Sequence, residues 1–174
     1  MNIFVKGVVV AALHLAIVLS LGGKLLYDRA HRPRVWVRTG SVDPDEPIRG
    51  RYFTLSLEVH APEFKGFGSG PRQYVPQYVR LAVENGRLIA LPSEDRNTGT
   101  YLATWGAGRP AQAAPDVYLL NPGVTFFIAE HAETPRLNRG DELWAEVTVP
   151  KKGPPRPIQL AIKRGTEWMP LTYR

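Results

Sequence analysis

Residues 52–59 read Tyr-Phe-Thr-Leu-Ser-Leu-Glu-Val. Apolar residues occupy every second position, and more polar residues stand between them. Because successive side chains of a β-strand point to opposite faces, this alternation predicts a strand. We expect one face of that strand to belong to the core, through Phe53, Leu55, Leu57 and Val59.

The same alternation returns near the carboxy terminus, where Leu143, Ala145, Val147 and Val149 are separated by more polar residues. The Gly- and Pro-containing run 151–155 then predicts a reversal into a strand over 158–162, completing a terminal pair. Between these regions, Asn85-Gly86 marks the tip of a hairpin over 78–91. Shorter strands are predicted at 35–37, 100–105 and 117–120. The run 61–76 is predicted to be a long loop.

Residues 124–129 contain an uninterrupted apolar run, Phe126-Phe127-Ile128. A strand that is apolar on both faces is typical of one lying between two packed layers, and we expect that placement here. With 16 Gly, 16 Pro and no helical periodicity beyond the amino terminus, the chain is predicted to be mainly β. We expect a small β-barrel or β-sandwich of about seven to nine strands.

The amino terminus is different, because residues 7–23 contain no formal charge between Lys6 and Lys24. A helix of this length spans roughly 25 Å of a hydrocarbon layer about 30 Å thick, and snorkelling lysines extend it. We therefore predict an uncleaved anchor over 1–26, with residues 3–26 in contact with the bilayer. A spacer over 27–34 and a β-rich domain over 35–174 follow. The alternative is a signal peptide cleaved near Ser20-Leu21-Gly22.

The orientation of this anchor has two opposed indications. A short basic start followed at once by an apolar run is how export signals begin, which favours an extracytoplasmic, periplasmic domain. Five cations after the apolar run favour a cytoplasmic domain by the positive-inside rule: Lys24, Arg29, Arg32, Arg34 and Arg38. We favour the extracytoplasmic side.

Charge and composition limit the possible partners. The net charge of +6 comes from residues scattered along the chain, with no recognition helix or aromatic RNA-binding signature. We therefore expect no nucleic-acid partner, although 24–38 could attract anionic lipid. The absence of Cys excludes a lipidated cysteine and a thiolate nucleophile. With only four His as well, we expect neither a metal site nor a cofactor.

The segment before the central strand holds the main candidate site. Arg49 and Arg51 flank Gly50 and, two apart on a strand, would point the same way as a fork for a carboxylate, a phosphate or a partner peptide. Asp43 precedes a proline and suits a turn. The alternative for the arginines is a structural salt bridge with the turn carboxylates or with Glu130.

Parts of this pattern resemble a known family, the GDYXXLXY-domain proteins of bacteria. The resemblance rests on Val42-Asp43-Pro44, on Ile48-Arg49-Gly50, and on Tyr52 and Leu55. The chain departs from the family at two positions, with Arg51 where the family has Asp and Leu57 where the family has Tyr. Further similarity lies in Phe126-Phe127-Ile128-Ala129-Glu130, with Ala129 in place of Pro, and in Glu146-Val147, Gly153 and Ile162-Lys163. It implies a membrane helix followed by a β-domain and no known activity. If the family's Asp acts as a catalytic acid or a metal ligand, this chain lacks that role, because the cationic Arg51 cannot replace a carboxylate.

We expect a non-enzymatic binding module that recognises a membrane or envelope protein through Asp43, Arg49, Gly50, Arg51 and Tyr52, with Glu130 nearby. The alternative is an extracytoplasmic hydrolase or small-ligand-binding protein that uses Glu130 with Asp43 or His131. We interpret His60 as a surface residue. A set of aromatic residues either packs in the core and barrel mouth or lines a ligand groove: Trp36, Trp105, Trp144, Trp168, Tyr74, Tyr78 and Tyr101.

Overall fold

The computed structural model describes residues 2–40, 52–64, 76–102, 114, 116–129, 137–138 and 140–172. The chain divides into two compact units, Met1–Arg32 and Pro33–Arg174. The first unit is the helix α1 (Ile3–His31). The second is a β-domain with two 3₁₀ turns, at Pro62–Phe64 and Arg96–Thr98. The mainly β prediction is therefore confirmed.

The helix α1 has 29 residues, which corresponds to a length of roughly 43 Å. Its part over Phe4–His31 is long and apolar enough to cross a membrane, judged by length and composition. The helix continues through most of the segment that we predicted as a spacer. His14, within the apolar part, donates from Nδ1 to the Val10 carbonyl at 2.8 Å, so the ring satisfies that N–H inside its own helix.

The β-domain contains eleven strands in its described residues, two more than the largest number predicted. They are β1 (Arg34–Arg38), β2 (Tyr52–Leu55), β3 (Glu58–His60), β4 (Gln77–Glu84), β5 (Arg87–Pro92), β6 (Tyr101–Leu102), β7 (Val117–Asn121), β8 (Val124–Phe127), β9 (Glu142–Thr148), β10 (Arg156–Arg164) and β11 (Glu167–Leu171).

These strands form three groups. Strands β3, β5, β4, β6 and β7 close into a barrel in that order, with β3 and β5 parallel. Strands β1, β9, β10 and β11 form an antiparallel sheet, and β2 pairs with β8 as a two-stranded ribbon. An isolated bridge between Thr39 and Leu57 joins the chain following β1 to the chain preceding β3. The four-stranded sheet therefore meets the barrel at β1 and β3.

The hairpin and the terminal strands confirm the sequence predictions. At the β4–β5 turn, Asn85 and Gly86 have φ values of 49° and 71°, the left-handed conformation that Asn-Gly favours in a two-residue turn. Strand β10 pairs with β9 as predicted. A further strand, β11, pairs with β10 after a turn at Gly165 and was not predicted. Pro170 within β11 weakened the strand pattern, and Pro is tolerated there because β11 is an edge strand.

The core follows the alternation read from the sequence. Leu55, Leu57 and Val59 are buried, as are the four predicted residues over 143–149. Phe53 lies outside the described side chains, and the predicted loop over 61–76 is described only at its two ends. Leu120 donates its backbone N–H to the Leu57 carbonyl, which links the central strand to β7. Leu57 is thus held through backbone and side chain at the junction.

The prediction for Phe126-Phe127-Ile128 was wrong. Phe127 is 73% exposed, and Phe126 and Ile128 are half-buried. These residues lie on or after β8, whose only strand partner in the described chain is β2, so this ribbon is not enclosed between two sheets. Gly123, before β8, is required by close packing, because a Cβ there would lie 2.9 Å from Thr54 Cγ2.

Candidate functional site

The four-stranded sheet has one face in the core and one face of unusual composition. Cross-strand register places three indoles and several charged groups on the outer face: Trp36, Arg38, Glu142, Trp144, Glu146, Lys163 and Trp168. Their chain neighbours Val35, Val37, Leu143 and Ala145 are buried. This face is therefore half-buried and aromatic, where a solvated sheet face is ordinarily lined by smaller polar residues.

The three indoles form one cluster, the tryptophan strip (Trp36, Trp144 and Trp168). The ring of Trp168 lies 5.0 Å from that of Trp36 in an edge-to-face arrangement and 5.6 Å from that of Trp144. Ala161 pairs with Trp144 on this face and is fully buried. Because Trp36 and Trp168 start from the two outer strands of the sheet, their contact makes the strip continuous across it.

A cleft of about 630 Å³ opens where this face meets the barrel. Trp36, Arg38 and Trp144 come from the sheet, Glu58 and His60 from β3, and Arg87 from the hairpin tip. Val37, Leu88 and Val117 also line it. The volume lies in the range of about 300–1,000 Å³ that is usual for small-molecule sites. We call it the junction cleft.

Arg38 lies between two carboxylates in the junction cleft. Its guanidinium is 3.9 Å from Glu58 Oε1 and 3.4 Å from Glu142 Oε1. Charge-assisted hydrogen bonds are shorter, about 2.7–2.9 Å. The two carboxylates therefore orient Arg38 while leaving its N–H groups able to donate to a ligand. Trp144 donates from Nε1 to Glu142 Oε2 at 3.0 Å, which fixes the indole and the carboxylate together.

Glu58 is the cleft residue whose ionisation is most clearly altered. Burial raises the pKa of Glu58 above its ordinary value, and the nearby Glu142 adds to the rise. Arg38, the larger of the opposing influences, and His60 both lower the pKa of Glu58 without cancelling the effect of burial. A carboxyl group in this setting can accept hydrogen bonds when ionised and donate one when protonated.

His60 proves to be a cleft residue instead of the simple surface residue that the sequence suggested. Its Nδ1 donates to Asp116 Oδ2 at 3.1 Å, and both side chains are 29% exposed. A neutral ring donating through Nδ1 retains Nε2 as an acceptor. The isolated position of His60 in the sequence concealed this pairing, because Asp116 is 56 residues away.

Most of the predicted site lies outside the described residues, namely Asp43, Arg49, Gly50, Arg51, Glu130 and His131. Tyr52 is described: it is half-buried on β2, with its ring 6.1 Å from that of the exposed Phe127. The structure does not bring Tyr52 into the junction cleft, whose lining residues do not include it.

The aromatic residues divide between the two predicted roles. Trp36 and Trp144 line the cleft, whereas Tyr78 and Tyr101 pack against each other on neighbouring barrel strands, 6.3 Å apart. Trp105 and Tyr74 lie outside the described residues. Within the described part of the chain, no three His, Asp, Glu or Cys side chains are grouped so that they could hold a metal ion.

Comparison with family models, with curated proteins and with solved structures found no match in any of the three. The resemblance to the GDYXXLXY-domain family therefore stays a prediction. The candidate site rests on the geometry of the cleft alone.

Proposed function

We propose that this protein is a membrane-anchored, non-enzymatic binding module, and that the junction cleft is its recognition site for a component of the cell envelope. The anchor is the helix α1, and the β-domain lies on the extracytoplasmic side. The observation that carries the proposal is the pairing of the polar groups in the cleft. Arg38 is set by Glu58 and Glu142, and His60 by Asp116.

Such pairing favours recognition because it holds donors and acceptors close together before a ligand arrives. Pre-organised polar groups on a half-buried aromatic wall lower the ordering cost of binding. In the described residues the cleft also presents no Ser, Thr or Cys that could act as a nucleophile beside His60. The hydrolase alternative depends on Glu130, Asp43 and His131, which lie outside the described residues, and it stays a prediction.

Pull-down from a detergent-solubilised envelope fraction tests the cleft, using the full chain as bait. We expect Arg38→Met and Trp36→Ala to reduce recovery of the material that the wild type captures. Lys152→Met is the matched control, because Lys152 is exposed and pairs with Asp95 away from the cleft. Equal recovery by wild type and both cleft variants would exclude the cleft as the recognition site.

The membrane side is tested separately. Reporter fusions at the carboxy terminus, with protease treatment of intact cells and of opened cells, report where the β-domain lies. We expect the protease to reach the β-domain as soon as the outermost barrier of the cell is opened, while the cytoplasmic membrane is still intact. Protection that persists until the cytoplasmic membrane is opened would contradict the proposed orientation.

The exposed Phe127, with the half-buried Tyr52 beside it, favours a second candidate function, docking of a membrane or envelope protein beside the segment 43–52. Phe127 is the most exposed large apolar residue described in the β-domain. We expect Phe127→Ser, together with Arg49→Ala and Arg51→Ala, to weaken capture of a protein partner while leaving cleft-dependent capture intact. Unchanged recovery of every captured protein would remove this second role.

A further inference from the structure

We propose that the junction cleft and the tryptophan strip together bind a neutral saccharide chain. This inference rests on the proposed function and names the class of its ligand. It combines two observations, the charged groups of both signs within the cleft and the aromatic surface that continues beyond it.

The cleft holds charges of both signs. Arg38, Arg87 and Glu58 line it, and the carboxylates of Glu142 and Asp116 pair with Arg38 and His60. A phosphate or another multivalent anion favours a site dominated by cations, and here the carboxylates oppose it. This mixture of donors and acceptors instead suits a ligand that carries no charge.

A cationic ligand is disfavoured by the strip itself. Lys163 Nζ already lies 5.6 Å from the centroid of the Trp144 ring, within the distance of about 6 Å over which a cation is attracted to an aromatic face. A second cation stacked on the same indole would be repelled by Lys163. Apolar C–H groups meet no such repulsion.

A neutral saccharide fits a cleft that favours neither an anionic nor a cationic ligand. Each hydroxyl of a sugar ring both donates and accepts, so it can bond to the free N–H groups of Arg38, to Glu58 and to His60 Nε2. The apolar faces of the sugar rings stack on flat indoles, which bury large areas and lose little entropy. Hydroxyl groups and apolar ring faces are thus both satisfied by residues that line one cleft.

The strip indicates a chain of sugars instead of a single sugar. Trp168 is 38% exposed and does not line the cleft, yet its ring contacts both indoles that do. A ligand that fills the cleft and continues along the sheet would reach Trp168 with its next rings. In this inference the three indoles are successive contacts for sugar rings, with Trp36 and Trp144 inside the cleft and Trp168 outside it.

This arrangement predicts a dependence on ligand length. We would titrate the full chain in detergent with neutral β-1,4-linked glucose and N-acetylglucosamine oligomers of one to six units, by calorimetry and intrinsic tryptophan fluorescence. Affinity should rise with length until the strip is filled. Trp36→Ala should weaken the binding of every oligomer about tenfold, the loss expected for one well-packed aromatic contact.

Trp168→Ala should weaken the longer oligomers by a similar factor and leave the shortest unchanged. Leu137→Ala is the control, because Leu137 is an exposed apolar residue of the β-domain and lies outside the cleft lining. A merely structural effect of Trp168→Ala would weaken short and long oligomers alike, which would overturn the role of the strip.

Other outcomes distinguish the inference from the proposed function. If no oligomer binds while inorganic phosphate or an envelope peptide binds in an Arg38-dependent manner, the saccharide inference is wrong and the proposed function survives. If cleft variants change neither oligosaccharide binding nor capture from envelope extracts, both are wrong. Binding that is equally strong for one unit and for six would exclude the extended strip.

Discussion

Replacing Leu57 by Ala tests the packing at the junction between the four-stranded sheet and the barrel. Leu57 is 1% exposed, and its backbone bridges to Thr39 and accepts from Leu120. The substitution leaves the backbone bonds in place and removes buried side-chain carbons from the hydrophobic core. The loss is thus a transfer free energy together with a cavity.

For fully buried leucines this change costs about 2.7–5 kcal/mol, out of a total stability of roughly 5–15 kcal/mol for a domain. In a domain of this size each kcal/mol lowers the melting temperature by about 3 °C. We therefore expect Leu57→Ala to lower the melting temperature by about 8–15 °C. The cleft should lose ligand affinity as well, because β1 and β3 meet at this residue.

Thermal unfolding of the full chain in detergent, followed by tryptophan fluorescence, measures the effect. All four Trp lie after residue 35, so the signal reports the β-domain and is silent about the helix α1. Leu137→Ala is the matched control, because Leu137 is 43% exposed and should change the free energy of unfolding by less than about 0.5 kcal/mol. Equal, small shifts for the two variants would refute the packing assigned to the junction.

Three further predictions concern single polar groups. Tyr118→Phe removes a hydroxyl that donates to the Phe64 carbonyl at 2.6 Å from a buried ring, and chemical denaturation should show a loss of about 1 kcal/mol; an unchanged midpoint would contradict this. Asp141 accepts hydrogen bonds from Arg164 and from the Asn138 backbone N–H, and these lower the pKa of Asp141 to about 2. The ionised carboxylate therefore stabilises the folded β-domain fully above its unfolded pKa, and this stabilisation is lost as the pH falls toward 2. In Asp141→Asn the free energy of unfolding should depend less on pH in this acid range. The same pH dependence in the variant and in the wild type would exclude the interaction. Burial raises the pKa of Glu58, so the free energy of unfolding of the wild type should fall as the pH rises through that pKa. Glu58→Gln should remove this pH dependence. If the variant keeps it, the pH dependence belongs to another group.

The strands were predictable where one face is buried along a continuous segment. Alternation at Leu55, Leu57 and Val59, and again over 143–149, identified core residues because burial of one sheet face imposes a period of two. The Asn85-Gly86 turn was predictable from its need for positive φ at both positions. These signals are local, and each is carried by a few adjacent residues.

The junction cleft was not predictable in the same way. Its walls come from β1, β3, the β4–β5 turn and β9, and no local pattern states that these strands are neighbours. The signal that was present lies on the outer face of the sheet. Trp36, Arg38, Glu142 and Trp144 stand where a solvated face needs only small polar residues, and their size indicates a surface that does more than face water.

The prediction that the apolar run at 126–128 lies between two packed layers was wrong for a related reason. Hydrophobicity indicates that a segment has faces to bury, but it does not state how many layers cover them. Strand β8 pairs with β2 alone among the described strands, and Phe127 remains on the surface. A two-stranded ribbon and a fully enclosed strand therefore give the same sequence pattern.

Hydrogen–deuterium exchange of the full chain, with and without a β-1,4-linked hexasaccharide, tests whether the junction cleft is the binding site. We expect slower exchange in the segments that build the junction cleft, over 34–38, 58–60, 85–88 and 142–146, and in β11, which carries Trp168. Segments away from the cleft, such as β2 and β8, should exchange at the same rate in both states. Slower exchange confined to β2 and β8, or no change anywhere in the β-domain, would contradict the assignment of the junction cleft as the binding site.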